Sequence, residues 1–369
     1  MRKSLNTFVV LFAVFFLSGF TDDLSVTPDR APEDFISSYD PDNKYYPGKR
    51  WKKAIKPELL GWSSEKLKKA REFAKLLSSA AAMVIDNGII VAEWGGPAGR
   101  YKTHSIRKSF LSALFGIAVA QGQIDISATL AELGIDDKPP KLTAAEKQAK
   151  ASDLLKARSG VYHGAAYETS SIRKKRPKRG SHPPGTFWYY NNWDFNALLT
   201  IYEQRTGSSV FMAFKSQLSD PLQMQDFRLK DTKYQRSKVS IHPAYRFRMS
   251  ARDLARFGLL YLRKGRWKDK QIIPESWVRQ SAASYSTTDQ KGRFSGYGYL
   301  WWLGEGAMTA AGTGGQRLFV LPDQNVVFVH RVNTGVKGNR VKGSRITHLL
   351  NLILKAKGRP RASPGKGGG

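Results

Sequence analysis

The 369 residues are 41% hydrophobic and 12% aromatic, enough for one large or two interleaved domains and too apolar for a disordered chain. The absence of cysteine excludes disulfides, thiolate catalysis and cysteine-based metal sites. Lys and Arg number 60 against 30 Asp and Glu, a net charge of +30, which speaks to solvation and anionic surroundings rather than to fold.

In chain order, Met1-Arg2-Lys3 precedes an apolar block at 8–17, too short for a comfortable membrane span. Residues 1–20 read as a secretory signal peptide, and the expected location is periplasmic or secreted. Leu17-Ser18-Gly19-Phe20 has the shape of a lipoprotein box with Phe in place of the lipidated Cys, so no lipid anchor is expected. Residues 21–58 carry no periodicity and read as an extended N-terminal segment. An amphipathic helix is expected over 63–77. Residues 80–94 alternate around Asp86-Asn87-Gly88, a strong hairpin signal.

The next stretch runs Thr103-His104-Ser105-Ile106-Arg107-Lys108-Ser109-Phe110 and continues apolar at 113, 114, 117 and 118 before Gly122. That spacing is a helix with one buried face. Further helical runs are expected over 142–155, through 196–202 to a close near Thr206-Gly207, and over 250–262, with a closing helix over 345–354. The aromatic stretch 296–302, and the β-rich runs 318–321 and 325–332, read as strands. The Gly/Pro/Lys tail 356–369 reads as disordered.

Strands near both ends with helices between them suggest one sheet built from 59–125 and 241–355, with a mostly helical domain, 126–240, inserted. The fold class is therefore α+β, an antiparallel sheet flanked by helices.

The six histidines, at 104, 163, 182, 242, 330 and 348, form no metal-binding pair, so neither a metal nor another cofactor is expected. The basic residues gather at 49–53, in the 173–179 loop and in the tail. With no zinc-finger, RNA-recognition or basic-zipper pattern, they suggest attraction to anionic cell-envelope polymers rather than dedicated nucleic-acid binding.

Ser-x-x-Lys occurs at Ser63/Lys66, Ser105/Lys108, Ser171/Lys174 and Ser363/Lys366, but only Ser105 opens a long apolar helix. A hydroxyl there either caps the helix or serves as a nucleophile, with Lys108 one turn on as its activating amine. Tyr190 and Asn192, after the Pro184-Gly185 turn, are candidates for moving a proton and holding a substrate carbonyl or amide. Nearby ammonium groups would favour the Tyr190 phenolate. Packed aromatics are the competing account of 187–190. No Gly-x-Ser-x-Gly elbow occurs, and His330, inside a β-rich run, reads as structural.

Taken together, Ser105-Ile106-Arg107-Lys108, Tyr190-Asn191-Asn192 and Gly312-Thr313-Gly314-Gly315 resemble the three motifs of the serine β-lactamase and penicillin-binding family. The resemblance is to the class C and esterase branch, in the style of 6-aminohexanoate-dimer hydrolases, and covers roughly 60–355. The flanking Arg158-Ser159-Gly160, Pro221-Leu222-Gln223-Met224 and Ala251-Arg252-Asp253-Leu254 agree with it.

The resemblance implies a β-lactamase/transpeptidase-like fold and an acyl-enzyme on Ser105, with Lys108 and Tyr190 sharing the proton transfers. It also implies an oxyanion site from the backbone of Ser105 and of Thr313 beyond Gly312, with Asn192 on the substrate. Tyr190 is the expected tyrosine, and Tyr189 keeps a second frame open. Family lactamases carry Lys or His two residues before the glycine, where this chain has Ala310.

The expected function is thus an exported serine hydrolase of small esters or amides. A true β-lactamase or D-alanyl carboxypeptidase is the alternative, requiring the 173–179 loop to replace the missing cation. A catalytically inactive binder of cell walls or polyanions is the alternative of another class. Tyr162, His163 and Tyr167 are further candidates for lining the pocket.

Overall fold

Residues 32–358 are described by the structure, a computed structural model. The expected signal peptide, most of the tail and Ser363 lie outside them. Two short strands come first, β1 (Phe35–Ile36) and β2 (Lys53–Ala54), so the later part of the segment read as an unstructured lead-in is joined to the sheet. Helix α1 (Ser64–Lys75) follows, with the Ser63 hydroxyl accepting from the Lys66 N–H, the cap role that explains the first Ser-x-x-Lys.

Strands β3 (Ala81–Asp86) and β4 (Ile89–Gly95) form the expected hairpin. Its two turn residues, Asn87 and Gly88, have φ of 48° and 84°, the left-handed pair that a two-residue turn requires. A Cβ on Gly88 would stand 2.0 Å from the Tyr45 carbonyl oxygen, so the turn is also pressed against the lead-in.

Strand β5 (Tyr101–Lys102) leads into a 3-10 turn, His104–Ile106, and then α2 (Arg107–Ala120). Every residue of α2 from Arg107 to Ala118 is buried, and Phe110 meets Phe214, Phe247 and Phe257 at ring distances of 4.9–5.4 Å. This is the central helix of the core, and an apolar helix of this kind is held by packing on all sides.

The following segment is less helical than its pattern suggests. The run at 142–155 yields only a 3-10 turn and α3 (Ala151–Leu155), while the 173–179 region, read as a loop, begins inside α4 (Ser170–Lys174). Helix α5 (Asn192–Thr206) starts four residues earlier than expected, because the Asn191 side chain caps it by accepting from the Trp193 N–H. Helix α6 (Val210–Phe214) and strand β6 (Thr232–Gln235) complete this part.

Strand β7 (Ala244–Met249) pairs with β5 on one side and β6 on the other, a separate three-stranded antiparallel sheet that the sequence did not reveal. Beyond it come α7 (Ala251–Leu262), the small hairpin β8 (Arg266–Trp267) and β9 (Lys270–Gln271), and α8 (Glu275–Ser281). The stretch 296–302 is not one strand. It turns at Leu300 (φ 62°) between β11 (Gly296–Tyr297) and β12 (Trp302–Gly304), after β10 (Ser286–Thr287). Strands β13 (Ala307–Gly312), β14 (Gln316–Leu321) and β15 (Val326–Arg331), and helix α9 (Gly343–Leu354), end the fold.

The main sheet runs β1-β2-β4-β3-β15-β14-β13-β12-β11-β10 and is antiparallel from β4 onward, with a parallel edge at β1 and β2. β15 pairs with β3, so distant parts of the chain meet at mid-sheet. Alternate residues of its strands are buried on both faces, Met83 and Leu318 on one and Val84 and Phe319 on the other. The start of the expected disordered tail is also tied down: Ala356 is buried, Lys357 bridges to Trp62, and its ammonium lies 2.8 Å from Asp86.

Candidate active site

The nucleophile candidate is positioned by the small sheet. Thr103, at the end of β5, donates its N–H (3.0 Å) and its hydroxyl (3.2 Å) to the Phe247 carbonyl of β7. His104 then takes φ of 49°, a left-handed conformation costly for a side chain with a Cβ, and swings the chain into the 3-10 turn that bears Ser105. The His104 ring is fixed at both nitrogens, Nδ1 2.7 Å from Tyr167 Oη and Nε2 2.8 Å from Thr334 Oγ1. Ser105 therefore sits in the first turn, where N–H groups have no partner within the helix.

Lys108 lies one turn on and is 1% exposed. Its Nζ is 3.0 Å from Ser105 Oγ, 2.7 Å from Tyr190 Oη and 2.8 Å from Asn192 Oδ1. The Tyr190 and Phe195 rings close around the amine at 4.2 and 4.3 Å. Among the described residues no carboxylate pairs with it. Burial holds the Lys108 ammonium well below the ordinary lysine range, and the Arg107 guanidinium pushes in the same direction.

Arg107, also 1% exposed, rests between Tyr245 (4.5 Å) and Tyr167 (5.5 Å). Its Nε and Nη1 have no hydrogen-bond partner among the described residues. The sequence reading passed over this residue. Its signal was a second cation, with no acid near it in sequence, at the start of a buried helix.

Tyr190 stacks on Trp302 (5.2 Å, 23°) and is pushed up to about 12 by burial, against opposing pulls from the Ser105 hydrogen bond, Arg107 and Arg317. This corrects the expectation of a phenolate. Burial of the phenol outweighs the pull of the cations around it. Tyr189 points elsewhere and donates to the Ile172 carbonyl at 2.9 Å.

Asn191 anchors the segment from below: its Nδ2 donates to the Val161 carbonyl (2.6 Å) and to Asp194 Oδ1 (2.8 Å). The Asp194 oxygen also accepts from the Ser159 hydroxyl at 2.6 Å, which gives the Arg158-Ser159-Gly160 motif its place.

Gly312 ends β13 against the nucleophile's turn. A Cβ there would be 2.3 Å from the Thr103 carbonyl oxygen and 3.2 Å from the His104 Cβ. Thr313 follows in the hairpin to β14, held by Gln316, which donates to the Val332 carbonyl at 2.7 Å. Gly312→Ala is expected to push the strand end away and lower kcat about 100-fold, the scale of one lost oxyanion donor, with little change in KM; steady-state kinetics on a nitrophenyl ester check it.

The remaining candidates separate. Tyr162 and His163 are buried, His163 between Asp137 and Glu146 at 3.8 Å each, and Tyr167 meets His104. His330 bridges Ser79 Oγ and the Gly315 carbonyl at 2.7 Å each, within the sheet. In the 173–179 loop, Lys175 is paired with Asp289, Arg176 with Glu168 and Arg179 with Glu146. Ala310 lies in the apolar core. Arg317 of β14 is a further residue the sequence reading missed: it donates to the carbonyls of Gly312 (3.0 Å) and Gln316 (2.8 Å).

A large sheet with a buried central helix, and serine, lysine and tyrosine side chains meeting at its start, define a serine hydrolase. The family model described as Beta-lactamase matches residues 68–351, and the chain belongs to that family.

Among solved structures it is similar to a protein from Bacillus anthracis described as a 6-aminohexanoate-dimer hydrolase. The TM-score is 0.58 at 20% identity, over 77% of this chain and 80% of the other. It is also similar to a family VIII carboxylesterase, with a TM-score of 0.57 at 15% identity, over 80% and 99%. An uncharacterized protein of Alkalihalophilus pseudofirmus is 22% identical over 298 residues, 70% of this chain and 84% of its own.

Proposed function

We propose that the protein is an exported serine hydrolase that cleaves small esters or amides through an acyl-enzyme on Ser105, with Lys108 as the base. The observation that carries this reading is the buried Lys108 amine held against Ser105, Tyr190 and Asn192 at once. A neutral amine has two N–H donors and one lone pair. Asn192 Oδ1 only accepts, and so takes one N–H. If Tyr190 accepts the other, the lone pair is left for the Ser105 O–H, the arrangement of a base ready to take its proton.

As Ser105 Oγ bonds to the substrate carbonyl carbon, its proton passes to Lys108 Nζ. The tetrahedral oxyanion meets the backbone N–H groups of Ser105 and Thr313. When the bond to the leaving oxygen or nitrogen breaks, Tyr190 gives that atom its proton and is refilled from Lys108. Water then attacks the acyl carbon, passes a proton back along the same path, and the ester to Ser105 breaks with Oγ reprotonated.

The core position of Ala310 and the pairing of Lys175, Arg176 and Arg179 in the 173–179 loop favour an esterase or amidase over a β-lactamase or carboxypeptidase. Export rests on the sequence of residues 1–20. Among the described residues no helix is long and apolar enough to cross a membrane.

Intact-mass measurement with a fluorophosphonate probe tests the reading. One adduct is expected, mapping to Ser105 and absent in Ser105→Ala, together with turnover of short nitrophenyl esters and very slow turnover of nitrocefin. Unlabelled protein that hydrolyses no ester or amide would sink it.

A further inference from the structure

The small sheet that positions Ser105 has an unusual outer face. Its register sets Lys102 of β5 directly opposite Arg248 of β7, and Lys233 of β6 directly opposite Arg246 of β7. Arg246 and Arg248 are two residues apart on one strand, so all four cations project from the same side. The intervening Tyr245, Phe247 and Met249 are buried in the core on the other side.

Like charges directly opposite each other in a sheet repel. Here two such pairs sit side by side, and they line a cavity of about 190 Å³ together with Lys230. The only acid in the lining, Asp231, is held by Arg100 from outside the cavity at 2.6 Å, with Arg248 at 4.0 Å. Five cations therefore face a space whose one carboxylate already has a partner.

The same cavity is walled by His104 and Tyr167. His104 is the residue before Ser105, and Arg246 lies over the Tyr167 ring at 5.6 Å. The cation cluster and the nucleophile thus share one turn of backbone. A set of cations held by strand register, four of them with no carboxylate partner among the described residues, in a hollow walled by the residue before Ser105, has the chemistry of an anion receptor: guanidinium forks for paired oxygens and ammonium groups as point charges.

We propose that this cavity is the subsite for an anionic oxygen group, carboxylate or phosphate, on the substrate that Ser105 attacks; the proposal rests on the hydrolase reading above. It supplies from β5, β6 and β7 the cationic recognition that Ala310 does not provide from β13. The substrates would then be small esters or amides bearing an acidic group, and their capture would weaken with salt.

Two measurements on the full chain test this. The first compares kcat/KM for p-nitrophenyl butyrate and the mono-p-nitrophenyl ester of glutarate. Wild type is expected to favour the charged ester by at least about tenfold at low salt. That ratio should fall towards one in Lys233→Gln/Arg246→Gln and at high salt. Lys102→Gln serves as the second variant should the double one fail to fold. A wild-type ratio near one, or a ratio unmoved by the variants, overturns the proposal.

The second measurement titrates glutarate and inorganic phosphate into Ser105→Ala by calorimetry, which also tells the two anions apart. Binding is expected, and is expected to be lost when the two glutamines are added. Turnover of the butyrate ester with neither anion bound sinks the anion site and leaves the hydrolase standing. Anion binding lost in the variants, with no ester cleaved by wild type, sinks the hydrolase and leaves the anion site.

Discussion

Lys108→Met is expected to reduce kcat on nitrophenyl esters by about 10,000-fold, the loss seen when a member of a nucleophile–base unit is removed. Methionine keeps the length and apolar stem of lysine but has no basic nitrogen, so Ser105 loses the group that takes its proton. The fold is expected to persist. Asn192 Oδ1 loses its donor, at a cost of about 1–3 kcal/mol, but the protein no longer has to keep a buried amine unprotonated, which offsets part of that cost.

The sharper signature is in the pH dependence of stability. In the unfolded chain Lys108 holds its proton up to about pH 10.5, and in the folded protein it releases it well below that. Between the two values the unfolded state binds the extra proton, so wild-type stability rises with pH across that window and falls as pH drops through the folded value. Urea unfolding from neutral pH to pH 10 should show this rise in wild type and a smaller one in Lys108→Met. Equal slopes, or an active methionine variant, would remove Lys108 from the role of base.

Tyr190→Phe is the second large effect, and its size should depend on the leaving group. The phenylalanine ring retains the stack on Trp302 and the contact with Phe195, so only the hydroxyl is lost. In the proposed mechanism that hydroxyl is the step between Lys108 and the departing atom. An amide nitrogen leaves only when protonated, whereas nitrophenolate leaves as an anion. Single-turnover acylation should therefore fall about 1,000-fold for an anilide or linear amide, and by much less for a nitrophenyl ester. With its phenol pushed up to about 12, wild type should show no alkaline loss of activity below about pH 11 from this group. Equal losses on both substrate types would assign Tyr190 a structural part only.

Much of the architecture was legible because it is written in local periodicity. The central helix, the Asn87-Gly88 hairpin and the strands β14 and β15 each carry their own pattern of apolar spacing or turn chemistry. Reading failed where a contact from elsewhere set the structure. The run at 142–155 has helical spacing but is mostly loop, and the β6 and β7 strands are charged on one side, so nothing in their composition announced a sheet. The first residues of the tail looked like linker until Lys357 met Asp86.

The sequence by itself determined which side chains are available for chemistry, Ser105, Lys108, Tyr190 and Asn192, and which helix carries the first two. Only the tertiary structure decided their charge states and company. The Lys108 ammonium is held well below the ordinary lysine range because segments more than 80 residues away shut out water, and no carboxylate among the described residues pairs with it. Likewise, the cations of three separate strands become one receptor only when pairing sets them face to face. Helical spacing is a property of neighbours along the chain. Solvent exclusion and charge balance are sums over everything that folds around a group, and no local pattern contains them.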